Sequence, residues 1–193
     1  MDKKDIILAG VGGQGILSIA TVIGWAALDQ NLHLKQAEVH GMSQRGGDVQ
    51  SNLRLSRERI WSDLIPKGGC DLILSLEPME ALRYLPWLAP DGWIVTNTTP
   101  FVNIPNYPEM DDIHKELASV GRVVSVDCDA IAKDVCSPKS ANMVLLGASA
   151  SVMEIIDPEK LREGIAEVFA RKGEKIVEMN IAAFNAGLEA SKK

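Results

Sequence analysis

Cysteine is scarce in this 193-residue chain: there are three, Cys70, Cys128 and Cys136. The number is odd and the spacing wide, so no disulfide framework is expected. No C-x-x-C occurs, and an iron–sulfur cluster takes about four thiolates, so the chain is not expected to hold a cluster by itself. Histidine is as rare. His33, His40 and His114 form no metal-ligand pattern with nearby carboxylates, and no zinc or iron site is expected. There is no G-x-x-x-x-G-K-[ST], which excludes a P-loop kinase or ATPase. There is no G-x-S-x-G, and no serine has a matched histidine motif, so no nucleophile with its base is evident. No basic stripe is visible and the net charge is −6, which disfavours nucleic acid as a partner. No apolar run approaches the length of a membrane span. Met1-Asp2-Lys3-Lys4-Asp5 leads directly into an apolar run rather than into a signal peptide, so the chain is expected in the cytoplasm.

What is present is ordinary apolar material and two unusual loops. Hydrophobic residues make up 46% of the chain and charged residues 24%, enough for one sizeable core, and residues 1–193 read as a single domain. The chain is organised around Ile6-Ile7-Leu8-Ala9-Gly10-Val11-Gly12-Gly13-Gln14-Gly15-Ile16. The apolar run reads as a buried parallel strand. A helix follows, with Ile16, Ile19, Ala20, Ile23 and Ala27 on one face. The spacing Gly10-x-Gly12-x-x-Gly15 fits the dinucleotide fingerprint. Gly10 would permit the tight turn, Gly12 the approach of a ligand, and Gly15 the close packing of helix on strand. The amides opening the helix form a ready anion site. Gln14 stands at the first turn, where its amide faces either a ligand or a neighbouring chain.

Leu32–Val39 reads as the second strand. A nicotinamide enzyme needs an acid near its end, and Glu38 is either that acid or, somewhat late for it, part of the next loop. That loop, His40-Gly41-Met42-Ser43-Gln44-Arg45-Gly46-Gly47, is the second conspicuous stretch. It reads either as a surface turn or as a polar loop for an anion or a partner, with Arg45 as a rigid fork and the glycines freeing amides. A strand over 49–55 places Val49, Ser51, Leu53 and Leu55 on one face. Ile60–Ile65 reads as one more short strand, and 71–76 as a central one. Glu77-Pro78 opens a helix, with Glu77 either capping it or touching a ligand. Pro86–Gly92 reads as loop and turn, 93–96 as a strand, 102–108 as irregular, 111–120 as a helix, 122–127 as a strand and 128–135 as a helix. Cys128 and Cys136 read as small buried hydrophobes. The last third is helical, with Asp157-Pro158-Glu159 a strong helix start. The sum is an α/β fold: a Rossmann-like, open, mostly parallel sheet with helices on both faces and helices at the C-terminus.

The two glycine loops together carry a resemblance. Gly10-Val11-Gly12-Gly13-Gln14-Gly15 followed by Glu38-Val39-His40-Gly41-Met42-Ser43-Gln44-Arg45-Gly46-Gly47 resembles the gamma-type domain of 2-oxoacid:ferredoxin oxidoreductases, and within it the small-subunit branch that works on indolepyruvate. The resemblance spans nearly the whole chain. It takes in Glu77-Pro78, Asn97-Thr98, Asn142 with Leu146-Gly147, and Asn180-Ile181-Ala182-Ala183-Phe184. It implies a subunit of a complex that oxidatively decarboxylates an aryl 2-oxoacid, passing the acyl group to coenzyme A and two electrons to ferredoxin. Thiamine diphosphate, magnesium and the iron–sulfur clusters would sit on a large alpha partner, with no cofactor on this chain, and the cysteine count agrees with that division. Gly10, Gly12, Gly13, Gln14 and Gly15 would form an anion-capable loop, for part of coenzyme A or for packing on the partner. His40, Ser43, Gln44, Arg45 and Gly46 would lie at the subunit interface or face the shared active site. No catalytic residue is assigned. The competing readings are a stand-alone NAD- or flavin-dependent dehydrogenase, and a coenzyme A- or nucleotide-binding module that only regulates a partner.

Overall fold

Strand β1 (Lys3–Val11) lies inside a six-stranded sheet and is buried on both faces, which is why its sequence is apolar from Ile6 on. The computed structural model describes residues 2–40 and 46–192, and of His40 only the backbone. Along the chain, β1 is followed by α1 (Ile16–Asp29), β2 (His33–His40), β3 (Asp48–Ser56), β4 (Cys70–Ser75), α2 (Pro78–Arg83) and β5 (Leu88–Asn97). Then come α3 (Met110–Val120), β6 (Val123–Val126), α4 (Cys128–Val135), α5 (Ala141–Met153), α6 (Pro158–Phe169) and α7 (Glu174–Ala190). The sheet order is β2-β3-β1-β4-β5-β6. β1, β4, β5 and β6 run parallel to one another, while β3 pairs antiparallel with both β1 and β2. The expected α/β class and mostly parallel sheet are present.

Helices cover both faces. Ile6, Leu8, Leu53, Leu72 and Leu74 point to one side, where α1 and α5 pack on them and α6 packs in turn on α1. Ile7, Ala9, Ile73 and Ile94 point to the other, against α2 and α3 through Ala81, Tyr84, Ile113 and Leu117. The α1 face expected from the 3.6-residue period is the buried one: Ile16, Ile19, Ala20, Ile23 and Ala27. α5 is buried on nearly every side because it is sandwiched between the sheet and α7.

Three expectations need correction. Residues 60–65 form no strand. The Arg54 guanidinium takes the carbonyls of Ser62 and Leu64 (3.1 Å each), and the Ser62 hydroxyl takes the Leu64 amide (3.2 Å), so these backbone groups are committed locally. Residues 88–92, expected as turn, already belong to β5, which meets β4 through a register shift between Cys70 and Leu72. Glu38 lies within β2 opposite Ser51, not in the following loop. Because β3 separates β2 from β1, Glu38 stands two strand spacings from β1, about 10 Å, instead of on the adjacent strand that carries the ribose acid in an NAD fold.

Candidate functional site

The carboxyl ends of β1, β4 and β5 meet the amino ends of α1 and α5 at one edge of the sheet. In α/β folds this edge is where ligands bind. Gly10 is the penultimate residue of β1 rather than part of the turn. Gly15 precedes α1 with φ +88°, a conformation that favours glycine, and a Cβ there would come within 2.6 Å of Asn142 Nδ2. The close neighbour that demands this glycine is thus α5, not β1. Asn142 Nδ2 donates to the Gly15 carbonyl at 3.2 Å. Gln14 turns back: its Oε1 accepts from the Val11 amide (2.7 Å) and its Nε2 donates to the Leu76 carbonyl (3.0 Å). The amide that sequence offered to a ligand or a neighbouring chain is therefore engaged on both sides, tying the end of β1 to the end of β4.

The Gly46-Gly47 end of the second loop meets Gly12 of the first. Gly12 N donates to Gly47 O (2.8 Å) and Gly46 N to Gly12 O (3.4 Å). His40 ends β2. Ser43, Gln44 and Arg45 lie outside the described residues.

A cleft of about 620 Å³ opens beside the first loop. Gly13, Gln14, Gly15 and Ser18 form one wall, Ser137 to Asn142 a second, and Lys172, Ile176 and Asn180 a third. Neither α1 nor α5 has a side chain capping its amino end, so the positive end of each helix dipole is directed there; at α5 the Ala141 amide already donates to the Pro138 carbonyl of the 3-10 turn that leads into it. Lys139 and Lys172 add two exposed ammonium groups. Asp129 also borders the cleft, but its Oδ2 accepts from Asn97 Nδ2 (2.8 Å). Asn97 in turn accepts from the Cys128 amide through Oδ1 (3.0 Å). The arrangement favours an anion. Lys139 and Lys172 were missed in the sequence, because they sit far apart along the chain and each looks like a solvated surface lysine.

Glu77 resolves toward capping. It is fully buried, and its Oε2 accepts from Glu80 N (2.8 Å) at the start of α2. Its Oε1 accepts from Phe101 N (3.3 Å) and from the Tyr107 hydroxyl. Burial, and then the hydrogen bond to the Glu77 carboxylate, push the Tyr107 hydroxyl well above the ordinary phenol range. Burial does the same to the Cys128 thiol, with Asp129 and Asp127 adding to it. Cys70 and Cys128 are each enclosed in the core, so neither is placed to ligate a cluster or a metal. Among the described residues no three His, Cys, Asp or Glu side chains come together as a metal site, and no helix is long and apolar enough to cross a membrane.

Sheet, glycine loop and anion-favouring cleft define an α/β protein of dinucleotide-fold build whose working end is the carboxyl edge of the sheet. Residues 5–190 match the family model of pyruvate ferredoxin/flavodoxin oxidoreductase, and the chain belongs to that family. It is 34% identical to indolepyruvate oxidoreductase subunit IorB of Thermococcus kodakarensis, over 100% of this chain and 98% of that one. It is 36% identical to the IorB subunit of Archaeoglobus fulgidus, over 96% and 94% of the two chains. In fold it is similar to the 2-oxoglutarate:ferredoxin oxidoreductase of Magnetococcus marinus, solved with 2-oxoglutarate, coenzyme A and succinyl-CoA bound (TM-score 0.77, 22% identity). That match covers 100% of this chain and 31% of the other. The chain is a small subunit of a 2-oxoacid:ferredoxin oxidoreductase.

Proposed function

We propose that the chain, as a single domain in the cytoplasm, is the small subunit of an indolepyruvate or related aryl 2-oxoacid:ferredoxin oxidoreductase, and that its carboxyl-edge cleft receives the anionic end of coenzyme A. The observation that carries the second part is the convergence on one cleft of two uncapped helix amino ends with Lys139 and Lys172. A pyrophosphate is the kind of group such a site suits. The first part is supported by full-length similarity to indolepyruvate oxidoreductase subunits of two organisms. Thiamine diphosphate, magnesium and iron–sulfur clusters on a large alpha partner supply the decarboxylation and electron-removal chemistry. This chain supplies binding and orientation: it holds coenzyme A so that the thiol reaches the partner's site, and it completes that site in a hetero-oligomer. The enclosed thiols Cys70 and Cys128 support placing the clusters on the partner. The position of Glu38 two strands from β1 speaks against a nicotinamide here.

The test is anaerobic co-purification of the tagged chain from its native host. The expected outcome is a large iron–sulfur partner and viologen reduction that requires both an aryl 2-oxoacid and coenzyme A. A lone chain carrying its own flavin or nicotinamide would overturn the reading.

A further inference from the structure

The segment between β5 and α3, residues 98–109, has no regular strand or helix of its own, yet beyond Thr99, whose neighbourhood is bonded to Val126 and Asp127, it is tied down at three more points. Phe101 N and the Tyr107 hydroxyl both donate to Glu77 Oε1. Asn103 Nδ2 donates to the Gly46 carbonyl at 2.8 Å. The first two bonds fix the segment to the cap of α2, which is itself buried. The third carries that fixity to Gly46, and Gly46 and Gly47 exchange backbone bonds with Gly12. Gly12 is followed at once by Gly13, a wall of the cleft. Hydrogen bonds at Phe101, Tyr107 and Asn103, joined by the short stretch of backbone between these residues, therefore link the buried Glu77 carboxylate to the turn that borders the anion-favouring cleft.

Asn103 has a second peculiarity. Its Oδ1 is buried and has no hydrogen-bond partner among the described residues. An amide oxygen left this way costs about 1–3 kcal/mol. What the residue contributes is its Nδ2 donor to Gly46.

We propose that Asn103 is a positioning residue: with Glu77 and Tyr107 as its anchor, it holds Gly46 and Gly47 against Gly12 and so sets the place of the Gly12–Gly13 turn against the cleft. The proposal rests on the reading of that cleft as the coenzyme A site. Small displacements of a binding element are costly because the ligand then meets amides that are no longer aligned. Removing the donor should therefore act on coenzyme A binding and leave the chemical step on the partner nearly untouched.

The experiment compares wild type with Asn103→Ala, as the full chain and as the complex co-purified with its large partner. In the ligand-free chain the Gly12 amide should exchange its hydrogen about tenfold faster in the variant, because local opening of the loop junction becomes easier. In the complex the KM for coenzyme A should rise about fivefold with kcat within about twofold. A merely structural contact would not produce that split. Gly12 exchange equal to wild type overturns the proposal, and so does faster exchange with an unchanged KM. Should Asn103→Ala not fold, Tyr107→Phe carries the same two measurements, since it frees the same segment at its Glu77 anchor; equal values there overturn it likewise. A wild-type complex whose turnover needs no coenzyme A would sink the functional reading itself and the proposal with it, whereas a coenzyme A-dependent wild type with indifferent variants sinks the positioning role alone.

Discussion

Gly147 on α5 and Gly187 on α7 face each other across a helix crossing that leaves no space for a methyl group. A Cβ on Gly147 would overlap the carbonyl oxygen of Phe184, and one on Gly187 the carbonyl oxygen of Val144. The obstacles are backbone, which cannot swing aside as a side chain can, so the helices would have to separate. Gly147→Ala or Gly187→Ala should each destabilise by about 3 kcal/mol, toward the upper end for overpacked cores. For a chain of this size that is a fall of roughly 6–12 °C in Tm. A thermal melt within 2 °C of wild type for both variants would show that the crossing adapts more easily than its geometry implies. The buried thiols give a second expectation at this scale. Burial pushes the Cys70 thiol from its ordinary 9.0 up to about 12, and raises Cys128 as well. Both keep their protons when folded at a pH where the unfolded chain loses them. Their contribution to stability is therefore complete below about pH 9 and falls as the pH rises from there towards the folded values. Chemical denaturation from pH 7 to pH 10.5 should show falling stability, and Cys70→Ala should flatten the alkaline limb. A limb of unchanged slope would mean that other groups dominate it.

At the scale of elements, the carboxyl edge is held by side chains that bridge strand ends. Gln14 satisfies one backbone donor on β1 and one backbone acceptor beyond β4. Gln14→Leu keeps the bulk and leaves the Val11 amide and the Leu76 carbonyl without that partner. Asn97 Nδ2 still donates to the Leu76 carbonyl (3.5 Å), so the expected cost is about 1–3 kcal/mol, the penalty for the one group, the Val11 amide, that loses its partner. Urea unfolding measures it; an unchanged midpoint would show water replacing both bonds. The way these elements assemble also shows what a sequence can and cannot display. The α1 stripe, the apolar runs of β1 and β4, and the Asp157-Pro158 start of α6 are local patterns, and the Asp157 carboxylate does accept from Glu159 N at 2.9 Å. The placing of β3 between β1 and β2 is not local. A strand period of two says which residues form β3, but its partner is chosen by contacts between residues distant in sequence. Ile60–Ile65 has the composition of a strand and loses that fate to Arg54, which takes its carbonyls from a strand away. The glycine half of the candidate site was legible for the same reason that α1 was. The lysine half was not, since nothing in sequence brings the end of α6 to the start of α5.

On the scale of the whole molecule, charge and sheet direction act against each other. The chain carries a net charge of −6, so its average field repels an anion such as coenzyme A. The carboxyl edge reverses this locally: helix amino ends and two lysines gather where the parallel strands end. Among the described residues Lys139 and Lys172 are exposed and form no ion pair, and Lys172 lies over the Phe169 ring with its ammonium 5.1 Å from the ring centre, so reversing them should cost stability little, at most about 1 kcal/mol for that exposed contact. It should not leave binding intact. The double variant Lys139→Glu/Lys172→Glu replaces two attractions by two repulsions of the kind that salt screens, with a Debye length of about 8 Å at physiological salt. Affinity for coenzyme A should fall at least about tenfold, the equivalent of about 1.4 kcal/mol. Raising the salt from 0.05 to 0.5 M should narrow the gap between variant and wild type, because screening weakens both the lost attraction and the new repulsion. Calorimetric titration of the complex at the two salt concentrations measures this. Equal affinities at low salt would place the phosphates of coenzyme A elsewhere on the assembly. A loss that does not shrink with salt would mean that the glutamates act by blocking the cleft instead of by their charge.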